Sequence, residues 1–166
     1  MSLERLNTTT RTESAHSFRQ CCTSELWIDR MTAGRPYANE RQLRNAANVI
    51  WQDLQEKDYL QAFDGHPKIG DVSSLKDKYA NTKELAAGEQ ANVNVATDTV
   101  LQTLAQGNSD YEEKFGFIFI VCATGKSAIE MSDLLQARLP NDRESELRNA
   151  CEEQRKIFQI RIGKLL

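Results

Sequence analysis

The sequence predicts an all-α protein: a single compact helical bundle-like domain over residues 1–166 with one buried extended segment. Three observations carry this expectation. Apolar residues recur at spacings of three and four, most clearly at Leu43, Ala46, Ala47, Ile50 and Leu54, which is the period of one helix face. Side chains able to accept from free helical N–H groups, such as Ser24 and Asn39, precede these runs, and Gly34 and Gly107 follow them. Only Phe117-Ile118-Phe119-Ile120-Val121-Cys122-Ala123 is rich in aromatic and β-branched residues, and no second such stretch offers it a partner. With 166 residues, 40% of them hydrophobic and 27% charged, the chain is long enough to bury a substantial core as one domain.

The elements follow in order. Thr12 or Ser14 can cap a short helix reaching Cys22, and Ser24 a second through Leu26, Trp27, Ile28 and Met31 that stops at Gly34. Arg35-Pro36-Tyr37 is a connector. Asn39 opens the amphipathic helix already noted, whose apolar face is core. Residues 57–64 bring Tyr59, Leu60 and Phe63 up to Gly65-His66, and the polar run 71–81 reads as a surface connection with one helical turn expected from Ser73 or Ser74. Thr82 begins the longest helical pattern, through Leu85, Glu89, Val93, Ala96, Val100 and Leu104 to Gln106, with Gly107-Asn108 as its stop. The stretch from Tyr111 through Gly116 to Ala123 is expected as buried extended backbone without a sheet, ended by Thr124-Gly125. A helix carrying Ala128, Ile129, Met131, Leu134, Leu135 and Leu139 follows, and Pro140-Asn141-Asp142 caps a last one through Leu147, Ala150, Ile157 and Ile160.

Charge and composition exclude several classes. The net charge is −3 and basic residues are interleaved with acidic ones, so there is no electrostatic footprint for nucleic acid. No apolar run approaches the roughly 20 residues that span a bilayer, and Met1-Ser2-Leu3-Glu4 lacks the apolar region of a signal peptide, so a soluble, cytoplasmic protein without a membrane partner is expected. Cys21, Cys22, Cys122 and Cys151 show no Cys-x-x-Cys spacing, and with only His16 and His66 beside them no metal site is expected. The thiols read as reduced and mostly buried.

Three residues stand out chemically. Pro67 biases His66 away from the helical region, and Gly65 and Gly70 free the backbone around it, so the imidazole is expected on a bent segment where it can be aimed as an acid or base. The plainer alternative is a histidine packed in a turn. Glu89 is a carboxylate on an otherwise apolar helical stripe, which is costly unless something polar faces it; the alternative is a helix start close enough for the side chain to reach water. Gly88 beside it permits close approach of a ligand or another backbone. Arg161, near the end of the last helix, either turns its guanidinium inward or ends in solvent.

Together His66-Pro67-Lys68-Ile69-Gly70, Glu89-Gln90, Tyr111-Glu112-Glu113-Lys114-Phe115-Gly116, Phe119-Ile120-Val121-Cys122-Ala123 and Ile160-Arg161-Ile162 resemble the 2-oxo-4-hydroxy-4-carboxy-5-ureidoimidazoline (OHCU) decarboxylases of uric acid breakdown. Cys21-Cys22, Trp27, Arg35-Pro36-Tyr37 and Trp51 extend the likeness over nearly the whole chain. The resemblance implies an all-helical, cofactor-free, homodimeric enzyme whose partner is the small-molecule substrate OHCU, from which it removes carbon dioxide to make (S)-allantoin. It further implies His66, Glu89 and Arg161 as catalytic residues. Substrate would be bound by Pro67, Ala86, Ala87, Gly88, Glu89, Gln90, the backbone of Ile118, Phe119, Ile120, Val121 and Cys122, and Arg161. Ala86 departs from the pattern, because many relatives carry serine three residues before the glutamate, and alanine offers no hydroxyl there.

Two rival readings remain. A helical module that binds a small polar ureido or purine-derived metabolite without catalysis would use Arg161 and backbone donors but would not need His66 and Glu89 together. A hydrolase using Cys122 with His66 is less suited, since an apolar run disfavours the thiolate.

Overall fold

The computed structural model describes residues 1–66 and 90–166, and of residues 90–97 the backbone alone. The expected connection at 71–81 and the helix start at Thr82 lie outside the described residues. Every regular element among the described residues is an α-helix: α1 Leu3–Thr8, α2 Arg11–Arg19, α3 Glu25–Ala33, α4 Glu40–Gln52, α5 Glu56–Asp64, α6 Gln90–Phe115, α7 Ala128–Arg138 and α8 Arg143–Leu165. The chain divides into two compact units, Met1–His66 with Ala150–Leu166, and Pro67–Asn149.

In the first unit the helix starts are set by local acceptors. Ser24 accepts from the Trp27 N–H and Asn39 from the Gln42 N–H, as expected, whereas α2 is capped by Thr10 in a reciprocal arrangement with Glu13 rather than by Thr12 or Ser14. The core of this unit is aromatic. Trp27 lies 5.3 Å and Trp51 5.5 Å from Phe158 of α8, ring centre to ring centre. The indole N–H groups donate to the carbonyls of Ala47 and Cys151, so burying them leaves no donor unmet. On α4 the buried positions are Leu43, Ala47 and Trp51, while Ala46 and Ile50, expected on the same core face, are half-exposed.

The second unit corrects two expectations. The long helix does not stop at Gly107-Asn108 but runs on to Phe115. A Cβ at Gly107 would lie 2.7 Å from Leu135 of α7, so this glycine allows two helices to pack closely instead of ending one. Tyr111 and Phe115 are therefore helical, and the irregular segment begins only beyond Gly116. From there Phe117, Phe119, Ile120 and Cys122 are buried without any strand, as the composition predicts. Asp142 starts α8 by accepting from the Ser145 N–H at 2.8 Å.

The segment is held by cations and by one buried carboxylate. Arg138 Nη1 donates to the Ile120 carbonyl at 2.8 Å, Lys126 Nζ to that of Cys122 at 2.8 Å, and Arg143 Nε to that of Phe115 at 3.1 Å. The Arg138 guanidinium also lies over the Phe119 ring, 4.7 Å from its centre. Fully buried Glu146 anchors Arg138 at 2.8 Å and accepts from Tyr111 Oη, Asn141 Nδ2 and Asn149 Nδ2. Burial pushes the Glu146 carboxyl pKa upward, but these hydrogen bonds and the Arg138 charge outweigh it and hold the group below its ordinary value.

Candidate active site

His66 follows directly on the end of α5. Gly65 caps that helix in a right-handed conformation, so its role is not the backbone freedom expected from sequence. A Cβ there would lie 2.1 Å from Thr23 Oγ1, and it is this contact that requires glycine. The Thr23 hydroxyl in turn donates to the carbonyls of Gln61 and Ala62 near the helix end. The His66 N–H donates to the Phe63 carbonyl at 3.0 Å, which turns the chain off the last helical turn and fixes where the imidazole starts.

The half-buried imidazole meets α8. Its Nε2 lies 2.5 Å from Oε1 of Gln154, a side chain with 0% exposure. Burial lowers the His66 pKa below 6.5; the Gln154 hydrogen bond opposes this and the nearby Arg161 charge adds to it. The net direction favours the neutral ring, which has a lone pair to offer. Arg161, two helical turns beyond Gln154, is half-buried and donates from Nη1 to the Cys21 carbonyl at 3.3 Å. Its guanidinium is thus turned inward, and it lines an open cleft of about 230 Å³ with Gln20, Cys21, Lys164 and Leu165. Burial pushes the neighbouring thiols up, Cys21 to about 11 and Cys22 to about 12, so neither is a ready nucleophile.

The first unit therefore brings His66 and Arg161 together. Ile118, Phe119, Ile120, Val121 and Cys122 belong to the second unit. There the Ile120 and Cys122 carbonyls are occupied by Arg138 and Lys126, while the N–H groups of residues 118–121 make no hydrogen bond among the described residues. Pro67, Ala86, Ala87, Gly88 and Glu89 lie outside the described residues, and Gln90 is described only as the first residue of α6. Gln154 is the residue that sequence reasoning missed. The signal was present: Ala150, Gln154, Phe158 and Ile162 form one stripe of α8, all four fully buried, and the glutamine is its polar member.

A half-buried imidazole held by a buried amide, with an arginine charge near enough to act on it, is an arrangement that can move a proton beside an anionic group in a helical protein. The family model described as OHCU decarboxylase matches residues 7–163, and the chain belongs to that family. It is similar to the uric acid degradation bifunctional protein TTL of Arabidopsis thaliana, 33% identical over 151 residues that make up 89% of this chain and 46% of that protein. The chain thus spans about half the length of that curated relative. The 2-oxo-4-hydroxy-4-carboxy-5-ureidoimidazoline decarboxylase of Xenopus laevis is 33% identical over 143 residues, 86% of this chain and 78% of that one. Among solved structures, an OHCU decarboxylase crystallised in the presence of (S)-allantoin is 34% identical, with a TM-score of 0.70 over 89% of this chain and 95% of that chain.

Proposed function

We propose that this protein decarboxylates OHCU to (S)-allantoin in uric acid degradation, with His66, Glu89 and Arg161 as its catalytic residues. The observation that carries the reading is the half-buried His66 imidazole set against α8, the helix that also carries the inward-turned Arg161. Family membership supplies the substrate class. A homodimer is part of the same reading, drawn from the family resemblance, while the single domain and the cytoplasmic location in it are drawn from the length and composition of the chain.

The chemistry suits these residue types. The substrate carries a hydroxyl and a carboxylate on one ring carbon, next to a carbon–nitrogen double bond. When carbon dioxide leaves, the electron pair of the broken bond moves into that double bond, and a proton is delivered to form the new carbon–hydrogen bond. The substrate is its own electron sink. The protein's tasks are then proton transfer at the hydroxyl and ring by His66, tuned by Glu89, and binding of an anionic or carbonyl oxygen by the Arg161 fork. The N–H groups of residues 118–121 are suited to ring and ureido oxygens.

The test generates the unstable substrate in place from urate and follows the handedness of the allantoin formed. Faster formation of one enantiomer is expected, and racemic product at the spontaneous rate would exclude the reaction. Arg161→Lys is expected to lower kcat/KM roughly 10- to 100-fold, because one charge-assisted hydrogen bond is worth about 1.5–3 kcal/mol and an ammonium cannot reproduce the planar fork. Unchanged kinetic constants would remove Arg161 from the site.

A further inference from the structure

We propose that Gln154 is a positioning residue: its carbonyl oxygen fixes His66 as the Nε2–H tautomer and leaves Nδ1 as the nitrogen that exchanges a proton with substrate. The inference rests on His66 being the proton-transfer group and adds which of its nitrogens acts and what selects it.

The first argument is valence. Gln154 Oε1 can only accept, so at 2.5 Å the facing imidazole nitrogen must carry the proton. In the neutral ring the other nitrogen then holds the lone pair, and Nδ1 takes part in no hydrogen bond among the described residues. A free imidazole populates both tautomers; a fully buried acceptor on one side selects one.

The second argument is what Gln154 forgoes. Its amide nitrogen is buried and makes no hydrogen bond of full geometry among the described residues, although the side chain approaches Cys22 closely enough to hydrogen-bond and favour its thiolate. An unmet buried donor costs stability. The flanking members of the stripe, Ala150 and Phe158, are apolar and equally buried, so a methionine at 154 would fill the same volume without that penalty. The oxygen facing His66 makes the one full-geometry hydrogen bond of this amide among the described residues, and it sets the residue apart from an apolar neighbour.

The experiment uses the whole chain and two variants, Gln154→Met and Gln154→Glu. Nitrogen NMR reads the His66 tautomer directly, since the chain holds only two histidines and His16→Gln assigns the signals. Wild-type His66 is expected as the Nε2–H form, and Gln154→Met as a mixture of both. Gln154→Met should lower kcat roughly 10- to 100-fold, the scale of a reacting group misplaced by about an ångström, with KM nearly unchanged because residue 154 does not touch substrate. The acid limb of its pH profile should move to lower pH, and its thermal midpoint should hold or rise. Gln154→Glu keeps an acceptor and should recover much of kcat, with the acid limb moved to higher pH. An Nδ1–H wild type, or a His66 tautomer indifferent to Gln154→Met, overturns the inference while an inactive His66→Asn leaves the decarboxylase reading standing. A shifted tautomer with unaltered kcat overturns it as well. Wild-type turnover in His66→Asn defeats both.

Discussion

Replacing His66 by asparagine lowers turnover by roughly 100- to 10,000-fold, the range spanned by positioned general acid–base groups, and leaves the fold standing. Asparagine retains a hydrogen-bonding side chain for Gln154 but has no proton to exchange near neutral pH. The fold is spared because His66 is only half-buried and follows the last turn of α5, whose anchors, Phe63 and Thr23, are untouched. Glu89→Gln should cost a similar factor if the carboxylate acts by orienting and tuning the imidazole. The double variant is then little worse than the worse single one, because two parts of one device cannot be lost twice. Stereospecific allantoin formation from freshly generated substrate measures all three, with circular dichroism as the check on folding. Losses that multiply would assign separate roles to the two residues. In the unsubstituted protein the lowered His66 pKa means that allantoin formation should hold through neutrality and fall only on the acid side, as the imidazole gains its second proton.

Glu146→Gln destabilises the protein by about 3–5 kcal/mol, the cost of breaking a buried ion pair on one side. The amide is nearly isosteric, yet it fails for a countable reason. All four partners of the carboxylate are donors: Tyr111 and Arg138 to Oε2, Asn141 and Asn149 to Oε1. A glutamine has one acceptor oxygen, so one pair of donors must face an NH2 group while Arg138 loses its counter-charge. Urea unfolding measures the loss, and a change of about 1 kcal/mol or less, the worth of an exposed pair, would contradict the burial argument. The pH dependence has a definite sign. The folded Glu146 pKa lies below the ordinary 4.5, so its contribution is present above that value and is lost as pH falls through the folded pKa. The stability of Glu146→Gln should therefore vary less with pH in the acid range than that of the unsubstituted protein. Because Arg138 also holds the Ile120 carbonyl, the same variant should weaken substrate binding if residues 118–121 contact it.

Local contacts made some helices legible. Ser24 and Asn39 lie three residues from the N–H groups they satisfy, so chain order alone locates α3 and α4, although Thr10, just as local to α2, was passed over for Thr12 or Ser14. Other failures were long-range. Gly107 carries the same letter whether it ends a helix or admits Leu135 of a neighbouring helix, and only the distance between the two helices tells them apart. Helix α1 went unread because six residues, with Leu6 as their buried member, make no periodic pattern. In the site, His66 could be singled out from its neighbours in sequence, whereas the sequence left Arg161 open between an inward turn and solvent and only the Cys21 contact decides it. Gln154 showed the same anomaly as Glu89, a polar group on an apolar stripe, but sat within Glu152-Glu153-Gln154-Arg155-Lys156, where polar residues are unremarkable. Its partner lies 88 positions away, a separation that no local pattern encodes.

The crowding of Thr23 against Gly65 ties two distant positions in their history. Any side chain at 65 would strike the oxygen, methyl and Cβ of Thr23 at 2.1, 2.5 and 2.8 Å, and a short β-branched residue has no far end to swing aside. Substitution at 65 is therefore conditional on prior shrinkage at 23, which would itself remove the hydroxyl from the Gln61 and Ala62 carbonyls. Neither step is neutral alone in either order, so the pair is expected to drift together or not at all. The ledge from which His66 projects is thereby held steady.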